Sequence, residues 1–327
     1  MRAPDFWFKT GFPACLLAPL SCLYAAGGRY LRLRSLPFRA GVPVICVGNL
    51  VAGGAGKTPV VQALITELQA IGLKPHVLLR GYGGRETGPL CVDPLRHTFQ
   101  DVGDEALLHA ALAPAWVASD RAKGAQAAIE AGADIVVMDD GFQNADLHQD
   151  LPLIVIDGET GLGNGRVIPA GPLREPLQDG LSRARAIVLI GEDRAGIQSR
   201  LGSLPVFKAR IVADPKSSLK SIRLLAFAGI GRPQKFFDTL TCLGAELSAT
   251  RSFPDHHPYS ASEIEALLKE ALQLNAKPIT TAKDHVRIPS AFKAKVDVLP
   301  VSLSWESRNG AATLVEMALS SFRSRAA

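Results

Sequence analysis

Residues 51–58 read VAGGAGKT, and they separate an apolar run at 44–47 from a helical pattern at about 57–70. A glycine-rich turn between a strand and a helix is the context that a Walker A phosphate-binding loop requires. Glycines let backbone N–H groups turn toward phosphates, and Lys57 can reach the β- and γ-phosphates. The full motif begins with glycine, where this chain has Val51. The stretch predicts a nucleotide site formed by Val51, Ala52, Gly53, Gly54, Ala55, Gly56, Lys57 and Thr58.

A pair of acids provides the second half of the predicted nucleotide site. Asp139 and Asp140 directly follow the apolar run at 135–138. Parallel sheets present their ligands at the carboxyl ends of the strands. One acid can therefore hold Mg²⁺ together with the Thr58 hydroxyl, and the other can orient water or substrate. The alternative is an ordinary aspartate turn after a strand.

Short apolar runs alternate with helical patterns through the first two thirds of the chain. The runs lie at 44–47, 76–79, 135–138, 153–156 and 186–190. Apolar runs of this length between helices are typical of a parallel sheet that is covered on both faces. The sequence therefore predicts an α/β fold: a P-loop NTPase-type, mostly parallel sheet with helices on both faces, plus a smaller C-terminal α/β domain.

The chain changes character near residue 210. A new strand is predicted at 222–227, and Pro233 is well placed in the first turn of the next helix. Ser260 and Glu263 form a capping-box pattern before a further helix. A single strand is predicted at 296–301. We predict an N-terminal membrane-associating helix and basic segment, a P-loop domain, a smaller α/β domain, and a tail helix able to pack on either domain, at residues 1–40, 41–212, 213–308 and 309–327.

The N-terminal segment combines an uncharged apolar run with basic residues. Residues 12–26 carry no charge, but a membrane-spanning helix needs about 20 apolar residues. A signal peptide would carry its basic residues before the apolar run rather than after it. The segment therefore predicts an interfacial anchor on anionic lipid, with a buried N-terminal helix as the alternative. The basic residues are Arg2, Lys9, Arg29, Arg32, Arg34 and Arg39.

Composition and charge narrow the function classes. The 327 residues are 47% hydrophobic and 20% charged, which is ordinary for a globular protein. Residues 1–41 contain six Lys or Arg and one Asp, which accounts for the whole net charge of +5. A nucleic-acid-binding protein would spread its positive charge over a binding face, so no nucleic-acid partner is expected. The five cysteines lack zinc-type or C-x-x-C spacing, which favours reduced thiols in the cytosol.

Several motifs resemble those of one family, the tetraacyldisaccharide 4′-kinases, which are the lipid A 4′-kinases of Gram-negative bacteria. The matching stretches are VGNLVAGGAGKTP at 47–59, RGYGG at 80–84, VGDE at 102–105, DDGFQ at 139–143, NGR at 164–166, PAGPLRE at 169–175, DH at 255–256 and KD at 283–284. The resemblance extends from the N-terminal segment to about residue 285. Val51 stands where the family commonly has threonine, a change that should disturb the loop little.

The resemblance implies both a substrate and a reaction. ATP would phosphorylate the 4′-hydroxyl of a tetraacylated, β-linked glucosamine disaccharide 1-phosphate, giving lipid IVA and ADP. The lipid-linked disaccharide and an anionic membrane surface are then the expected partners, and no obligate protein partner is evident. The expected location is the cytoplasmic face of the bacterial inner membrane, with peripheral or monotopic attachment. The family fold places the site in the cleft between the P-loop domain and the smaller domain.

The candidate catalytic residues follow from the same resemblance. Asp104 begins a helix and resembles the family's catalytic aspartate, and His256 resembles the histidine that pairs with it across the cleft. Helix capping is the structural alternative for Asp104, and His257 is the alternative histidine. Glu105 is predicted to hold Mg²⁺ or a substrate group, or only to favour the start of the helix. Arg121 is predicted to clamp a phosphate, with a solvated surface role as the alternative.

Other residues have less specific predicted roles. Gln143 follows the paired acids and can complete the metal shell through water. Arg80, Tyr82 and Arg174 lie in loops that can meet the substrate. Lys283 and Asp284 allow either a salt bridge at a strand end or a nucleotide contact. The remaining histidines are expected at the surface or in packing: His76, His97, His109, His148 and His285.

Three rival functions are less consistent with the sequence. A membrane-bound ATPase switch carries a lysine before the two glycines of its loop, where this chain has Ala52. A small GTPase-like regulator often uses an N-K-x-D loop, and the sequence has only TAKD at 281–284. A lipid-binding module without catalysis would not need both a P-loop and paired acids.

Overall fold

The computed structural model describes residues 4–9, 11–214 and 219–326. Arg2 of the predicted basic segment lies outside the described residues. The larger sheet contains β1 (Val44–Gly48), β2 (Pro75–Leu79), β3 (Leu90–Cys91), β4 (Ala115–Val117), β5 (Ile135–Asp139), β6 (Leu151–Asp157), β7 (Ala186–Ile190), β8 (Val206–Ala213) and β13 (Val301–Trp305). The smaller sheet contains β9 (Arg223–Ala228), β10 (Glu246–Ser252), β11 (Lys277–Thr281) and β12 (Asp297–Leu299).

Helices connect the strands of both sheets. They are α1 (Phe12–Arg34), α2 (Lys57–Ala70), α3 (Phe99–Val102), α4 (Asp104–Ala110), α5 (Arg121–Glu130), α6 (Leu177–Arg183), α7 (Pro233–Cys242), α8 (Ala261–Gln273), α9 (Ala282–His285), α10 (Ser290–Lys293) and α11 (Gly310–Ala326). Short 3₁₀ turns lie at Asp5–Trp7 and Gln198–Arg200.

The larger sheet has the strand order β13-β8-β7-β6-β1-β5-β2-β4-β3. Its strands pair in parallel except at the two edges, where β3 and β13 are antiparallel to their neighbours. Val47 of β1 pairs with Asp139 of β5 on one side and with Leu153 of β6 on the other. The loop that follows β1 therefore opens at the carboxyl edge of the sheet, between the ends of β5 and β6.

Both faces of the larger sheet are buried under helices. Ile45 and Val47 belong to the core on the α2 and α11 side, whereas Val44 and Cys46 belong to the core on the α5 and α6 side. Burial on both faces explains why the strands are apolar throughout rather than alternating. The predicted fold class, a mostly parallel P-loop-type sheet with helices on both faces, is confirmed.

The smaller sheet has the order β10-β9-β11-β12, and its strands are all parallel. The helix α7 covers one face with Phe236, Phe237 and Leu240, and α8 covers the other with Ile264 and Leu267. Each α/β unit thus has its own core, and the carboxyl ends of both sheets can contribute loops to one cleft.

The predicted strand at 296–301 is two strands in the structure. Pro300 has no N–H to donate, and it separates β12 of the smaller sheet from β13 of the larger one. β13 lies within the predicted smaller domain at 213–308, but it pairs with β8 in the larger sheet. The tail helix α11 follows it and packs beside α2, with Leu314 and Val315 in the core.

The N-terminal helix α1 lies on the surface. Of its described residues only Ala14 and Ser21 are buried, so the alternative of a buried N-terminal helix is wrong. The Ser21 hydroxyl donates to the Val167 carbonyl (2.6 Å) and accepts from the Ala170 N–H (3.0 Å). Among the described residues, no helix has the length and apolar character needed to cross a membrane.

The capping box at the start of α8 is confirmed and gives a stability prediction. The Ser260 hydroxyl accepts from the Glu263 N–H (3.2 Å), and the Glu263 carboxylate accepts from the Ser260 N–H (2.8 Å). We expect Ser260→Ala to lower the free energy of unfolding by about 1 kcal/mol because orphan N–H groups lose their acceptor. Urea denaturation measures the change.

The matched control is Glu265→Ala, on the exposed face of the same helix. Alanine is a good helix former, so this control should change the unfolding free energy by less than about 0.5 kcal/mol. An equal effect of both substitutions would contradict a specific role of the cap.

Candidate active site

A cavity of about 540 Å³ lies at the carboxyl edge of the larger sheet. Side chains from the ends of β2 and β5 and from the loops that follow β4 and β6 line it, together with the start of α4. Parallel α/β sheets bind their ligands at this edge. The lining residues are Leu79, Arg80, Gly81, Tyr82, Val102, Gly103, Glu105, Ala106, Ser119, Arg121, Asp139, Asp140, Gln143, Asn144, Asp146 and Arg174.

The glycine-rich loop next to this cavity has the backbone that its glycines permit. Gly53 has a φ of 124° and Gly56 a φ of 84°, conformations that are strained for any residue with a Cβ. A Cβ at Gly56 would also lie 2.6 Å from Cδ1 of Ile190. The Asn49 amide donates to the carbonyls of Val51 (2.8 Å) and Gly53 (3.2 Å), which holds the loop in place.

Lys57 and Arg174 both face Asp140. The Arg174 guanidinium donates to the two carboxylate oxygens of Asp140 at 2.8 and 3.2 Å, and Lys57 Nζ lies 3.5 Å from Oδ1. Burial opposes ionisation of Asp140, but the charges of Lys57 and Arg174 outweigh it, so the pKa of Asp140 lies below its ordinary value. Asp140 is therefore an anion that keeps two cations beside the phosphate-binding loop.

Asp139 has a different environment. It is buried, and its Oδ2 lies 2.8 Å from Nε2 of His109, which is itself fully buried. The other oxygen, Oδ1, is buried without a hydrogen-bond partner. A buried carboxylate oxygen without a partner is costly, so this atom is suited to a cation or to an ordered donor.

Gln143 is close to the paired acids and is bound on both sides of its amide. Its Nε2 donates to the Asn49 carbonyl and to Oε1 of Glu175, both at 3.0 Å, and its Oε1 lies 3.4 Å from Nη1 of Arg174. The side chain thus connects the base of the glycine-rich loop with Arg174.

Asp104 and His256 meet across the two α/β units, 152 residues apart in the chain. Nδ1 of His256 lies 2.9 Å from Oδ2 of Asp104, and Oδ1 accepts from the Glu105 N–H at 2.9 Å. Burial opposes ionisation of Asp104, but the hydrogen bond from His256 and the charges of Lys283 and Arg287 outweigh it, so the pKa of Asp104 lies below its ordinary value. An ionised carboxylate only accepts, so the His256 nitrogen that faces it carries the proton.

The structure distinguishes between the two candidate histidines. Nε2 of His257 lies 2.9 Å from Oε1 of Glu263 and not at Asp104. His256 also has the ring of the exposed Tyr82 beside it, with the ring centroids 5.6 Å apart. The contact with Asp104 thus belongs to His256.

Glu105 and Lys283 form a second ion pair between the two units. Lys283 Nζ lies 2.9 Å from Oε1 of Glu105. Burial would lower the pKa of Lys283, but the carboxylates of Glu105 and Asp104 outweigh it and raise this pKa. Of the two alternatives for Lys283, the salt bridge is present in the structure. Asp284 is buried and accepts from the Tyr259 hydroxyl at 2.9 Å.

Arg121 is buried rather than solvated. One of its terminal nitrogens donates to the Ala118 carbonyl, and its Nε has no partner. Burial and the neighbouring charge of Arg80 lower the pKa of Arg121 to about 10. A partly unpaired, buried guanidinium at the cavity wall is suited to an anionic group of a ligand.

Sequence reasoning missed three polar residues of this region. His109 was expected at the surface or in packing, yet it binds Asp139, and nothing in the sequence links residues 30 positions apart. Asn49 precedes the glycine-rich loop by two positions, a place where a side chain that braces the turn could have been anticipated. Arg287 follows Lys283 by four positions, the spacing of one helical turn.

Comparisons with known proteins agree with the fold and with the motifs. A family model described as Tetraacyldisaccharide-1-P 4'-kinase matches residues 13–320. The tetraacyldisaccharide 4'-kinase of Rhodospirillum centenum is 55% identical over 314 residues, which cover 94% of this chain and 93% of that protein. The tetraacyldisaccharide 4'-kinase of Paramagnetospirillum magneticum is 54% identical over 310 residues, which cover 94% of this chain and 95% of that protein.

A solved structure is similar over almost the whole chain. It is LpxK from Aquifex aeolicus in complex with ATP, with a TM-score of 0.75 and 27% identity, and the match covers 95% of this chain and 100% of that one. The family model and the two relatives likewise extend over nearly all of the sequence. The chain belongs to the tetraacyldisaccharide-1-P 4'-kinase family.

Proposed function

We propose that this kinase transfers the γ-phosphoryl group of ATP to the 4′-hydroxyl of tetraacyldisaccharide 1-phosphate, giving lipid IVA, and that Asp104 accepts the hydroxyl proton. Family membership supports the reaction, and the Aquifex aeolicus relative in complex with ATP supports the nucleotide. The observation that carries the role of Asp104 is its hydrogen bond to His256 across the cleft (2.9 Å), next to Gly103 and Glu105 of the cavity wall.

The glycine-rich loop would hold the triphosphate. Its N–H groups and the amino terminus of α2 favour phosphate oxygens, and Lys57 is already buried beside the loop. Lys57 shares Asp140 with Arg174, so both cations are positioned before nucleotide arrives. Such preorganisation lowers the cost of stabilising the charge that is transferred.

The residues beside the loop fit a magnesium ion. Mg²⁺ prefers oxygen ligands and is usually held by one or two carboxylates together with substrate phosphates. Asp139 offers the buried oxygen Oδ1 that has no partner, and Thr58 offers a hydroxyl. Asp140 is engaged by cations, so we assign the direct ligand role to Asp139, with Gln143 able to contribute through water. Bound Mg²⁺ neutralises charge on the phosphate oxygens.

The transfer needs a proton acceptor at the sugar hydroxyl. As the hydroxyl oxygen bonds to the γ-phosphorus, the bond to the β–γ bridging oxygen breaks, ADP leaves, and the hydroxyl proton passes to Asp104. Asp104 is ionised at neutral pH, and because its pKa is lowered it is a weak base, which takes the proton as the bond from the hydroxyl oxygen to phosphorus makes that proton acidic. His256 fixes the orientation of the carboxylate. Arg121 would stabilise the charge on the transferred group, and Arg80 and Tyr82 would meet the sugar or its 1-phosphate.

We propose attachment to the cytoplasmic face of the inner membrane, and the exposed surface of α1 supports attachment to a membrane. Its exposed apolar side chains recur at three- and four-residue spacing, which places them on one side of the helix. Arg34 lies exposed at its end, where it can meet anionic headgroups, whereas Arg29 pairs with Asp179 of α6 (2.6 Å). The exposed apolar side chains of α1 are Phe12, Leu16, Leu20, Leu23, Tyr24, Tyr30, Leu31 and Leu33.

The reaction is tested by a phosphate-transfer assay. Protein in detergent receives γ-labelled ATP, Mg²⁺ and tetraacyldisaccharide 1-phosphate, and the label should appear in the lipid at the 4′-position. Lys57→Ala should abolish transfer because the triphosphate loses its cation. Label released only to water, with or without lipid, would refute the kinase reaction.

The role of Asp104 predicts a loss in the chemical step. Asp104→Ala should lower kcat by about 10²- to 10⁴-fold, the contribution of general-base catalysis, while the affinity for ATP stays near that of the wild type. Steady-state kinetics and ATP titration measure the two quantities. The matched control is Asp93→Ala, outside the cavity, which should keep wild-type kcat. Wild-type turnover of Asp104→Ala would exclude it as the base.

The role of α1 predicts a loss of lipid binding without a loss of folding. We expect the double substitution Leu16→Asp and Leu23→Asp to reduce flotation with vesicles that contain anionic lipid, because both side chains lie on the exposed side of α1 and none of the bonds made by Ser21 is removed. The control is Leu95→Asp, since Leu95 is 97% exposed in a distant loop. Unchanged flotation of the double variant would contradict the anchor.

A further inference from the structure

Two cations from the smaller α/β unit reach the two carboxylates that begin α4. Lys283 Nζ lies 2.9 Å from Oε1 of Glu105, and Nε of Arg287 lies 3.5 Å from Oδ2 of Asp104. Lys283 lies in α9 and Arg287 lies two residues beyond the end of that helix, and both side chains point across the cleft. A pair of neighbouring acids is thus matched by a pair of cations across the cleft.

Arg287 also holds the backbone that carries His256. The arginine side chain is 1% exposed, and its terminal nitrogens donate to the carbonyls of His257 (3.2 Å) and Gly229 (3.0 Å). The Gly229 carbonyl accepts the His256 N–H as well, at 3.1 Å. One guanidinium therefore connects the loop before α7 with the loop that places His256.

The fit between these two loops is close. A Cβ on Gly229 would lie 2.9 Å from the Pro254 carbonyl oxygen and 3.1 Å from Cβ of His257. His256 itself has a φ of 58°, a left-handed conformation that is unfavourable for histidine unless its surroundings hold it. Arg287 donates to the carbonyl of the next residue, His257, and to the Gly229 carbonyl, which also accepts the N–H of this strained residue.

Asp284 keeps the charge of Arg287 in place. Its Oδ1 accepts from Nη2 of Arg287 (2.9 Å), from the Tyr259 hydroxyl (2.9 Å) and from the Gly229 N–H (2.8 Å). The Thr281 hydroxyl donates to its other oxygen at 2.6 Å. The Asp284 carboxylate thus accepts four hydrogen bonds, which favours a rigid network. Nε of Arg287 donates to the Lys283 carbonyl (3.1 Å) and lies beside Asp104 of the other unit.

We propose that Lys283 and Arg287 are positioning residues that hold Asp104 and His256 in register: Lys283 through Glu105, and Arg287 through the loop of His256 and its contact with Asp104. This inference rests on the proposed role of Asp104. Neither cation needs to touch ATP or lipid. Their effect is on the geometry of the pair that receives the hydroxyl proton, and it requires the two units to be closed on each other.

The test is a double-mutant cycle on kcat. Lys283→Met should lower kcat about 10- to 100-fold, the scale of a small misplacement of reacting groups, while KM for ATP changes less than about twofold. Lys283→Arg, which keeps the charge, should recover most of the loss. In an Asp104→Ala background, Lys283→Met should have almost no further effect, because no proton acceptor is left to position. Lys269→Met, on the exposed face of α8, is the control and should keep wild-type kcat.

The outcomes separate the inference from the function on which it rests. Equal losses from Lys283→Met in both backgrounds, or a loss expressed in KM for ATP, would overturn the positioning role. Wild-type activity of Lys283→Met together with an inactive Asp104→Ala would overturn the positioning role but not the role of Asp104 as base. An active Asp104→Ala would instead overturn the role of Asp104 as base. Arg287→Lys keeps the charge but not the planar fork, and it should follow the same pattern in the same cycle. Where a change at the buried Arg287 prevents folding, the Lys283 cycle still decides whether a cation of the smaller unit positions Asp104.

Discussion

A carboxylate that is buried must be paired, and Asp104 is buried at the junction of two α/β units. Its side-chain partners His256, Lys283 and Arg287 come from the smaller unit. Without the smaller unit, Asp104 would lack these contacts. Without the larger unit, Arg287 would lack the carboxylate of Asp104 beside its Nε. The contacts that keep Asp104 ionised therefore also hold the two sheets in their relative placement.

The need to pair buried charge also governs the two adjacent aspartates of the cavity lining, Asp139 and Asp140, which have different partners. Asp140 is shared by Lys57 and Arg174, which fixes its charge, while Asp139 is bound on one oxygen by His109 and free on the other. The contact of the buried His109 imidazole with Oδ2 orients the Asp139 carboxylate and thereby the direction of the free oxygen. One acid thus organises cations of the protein, and its neighbour retains an oxygen for a ligand.

Local patterns predicted most of the larger sheet, because each of its central strands is buried on both faces and reads as an apolar run. They failed at the edges: β8 is half exposed, so its sequence lacks such a run. The predicted strand at 296–301 also ran through Pro300, although a proline inside such a run marks a break between strands. The glycine-rich loop and the paired acids could be predicted because each is one continuous stretch of sequence. The pairing of Asp104 with His256 came from family resemblance, and the His109 contact from neither source, since no local pattern connects groups that meet only through the fold.

The segment 164–175 joins α1 to the phosphate-binding part of the chain. At its beginning, Val167 and Ala170 bind Ser21 of α1. At its end, the Pro172 carbonyl accepts the Ala52 N–H of the glycine-rich loop (2.8 Å), and Arg174 reaches Asp140. Few residues therefore separate the helix that presents apolar side chains to solvent from the groups around the nucleotide. Under the proposed attachment of α1 to the membrane, an acceptor whose acyl chains stay in the membrane would bring only its sugar to the cavity, and this short, hydrogen-bonded connection would set the height at which the sugar must arrive.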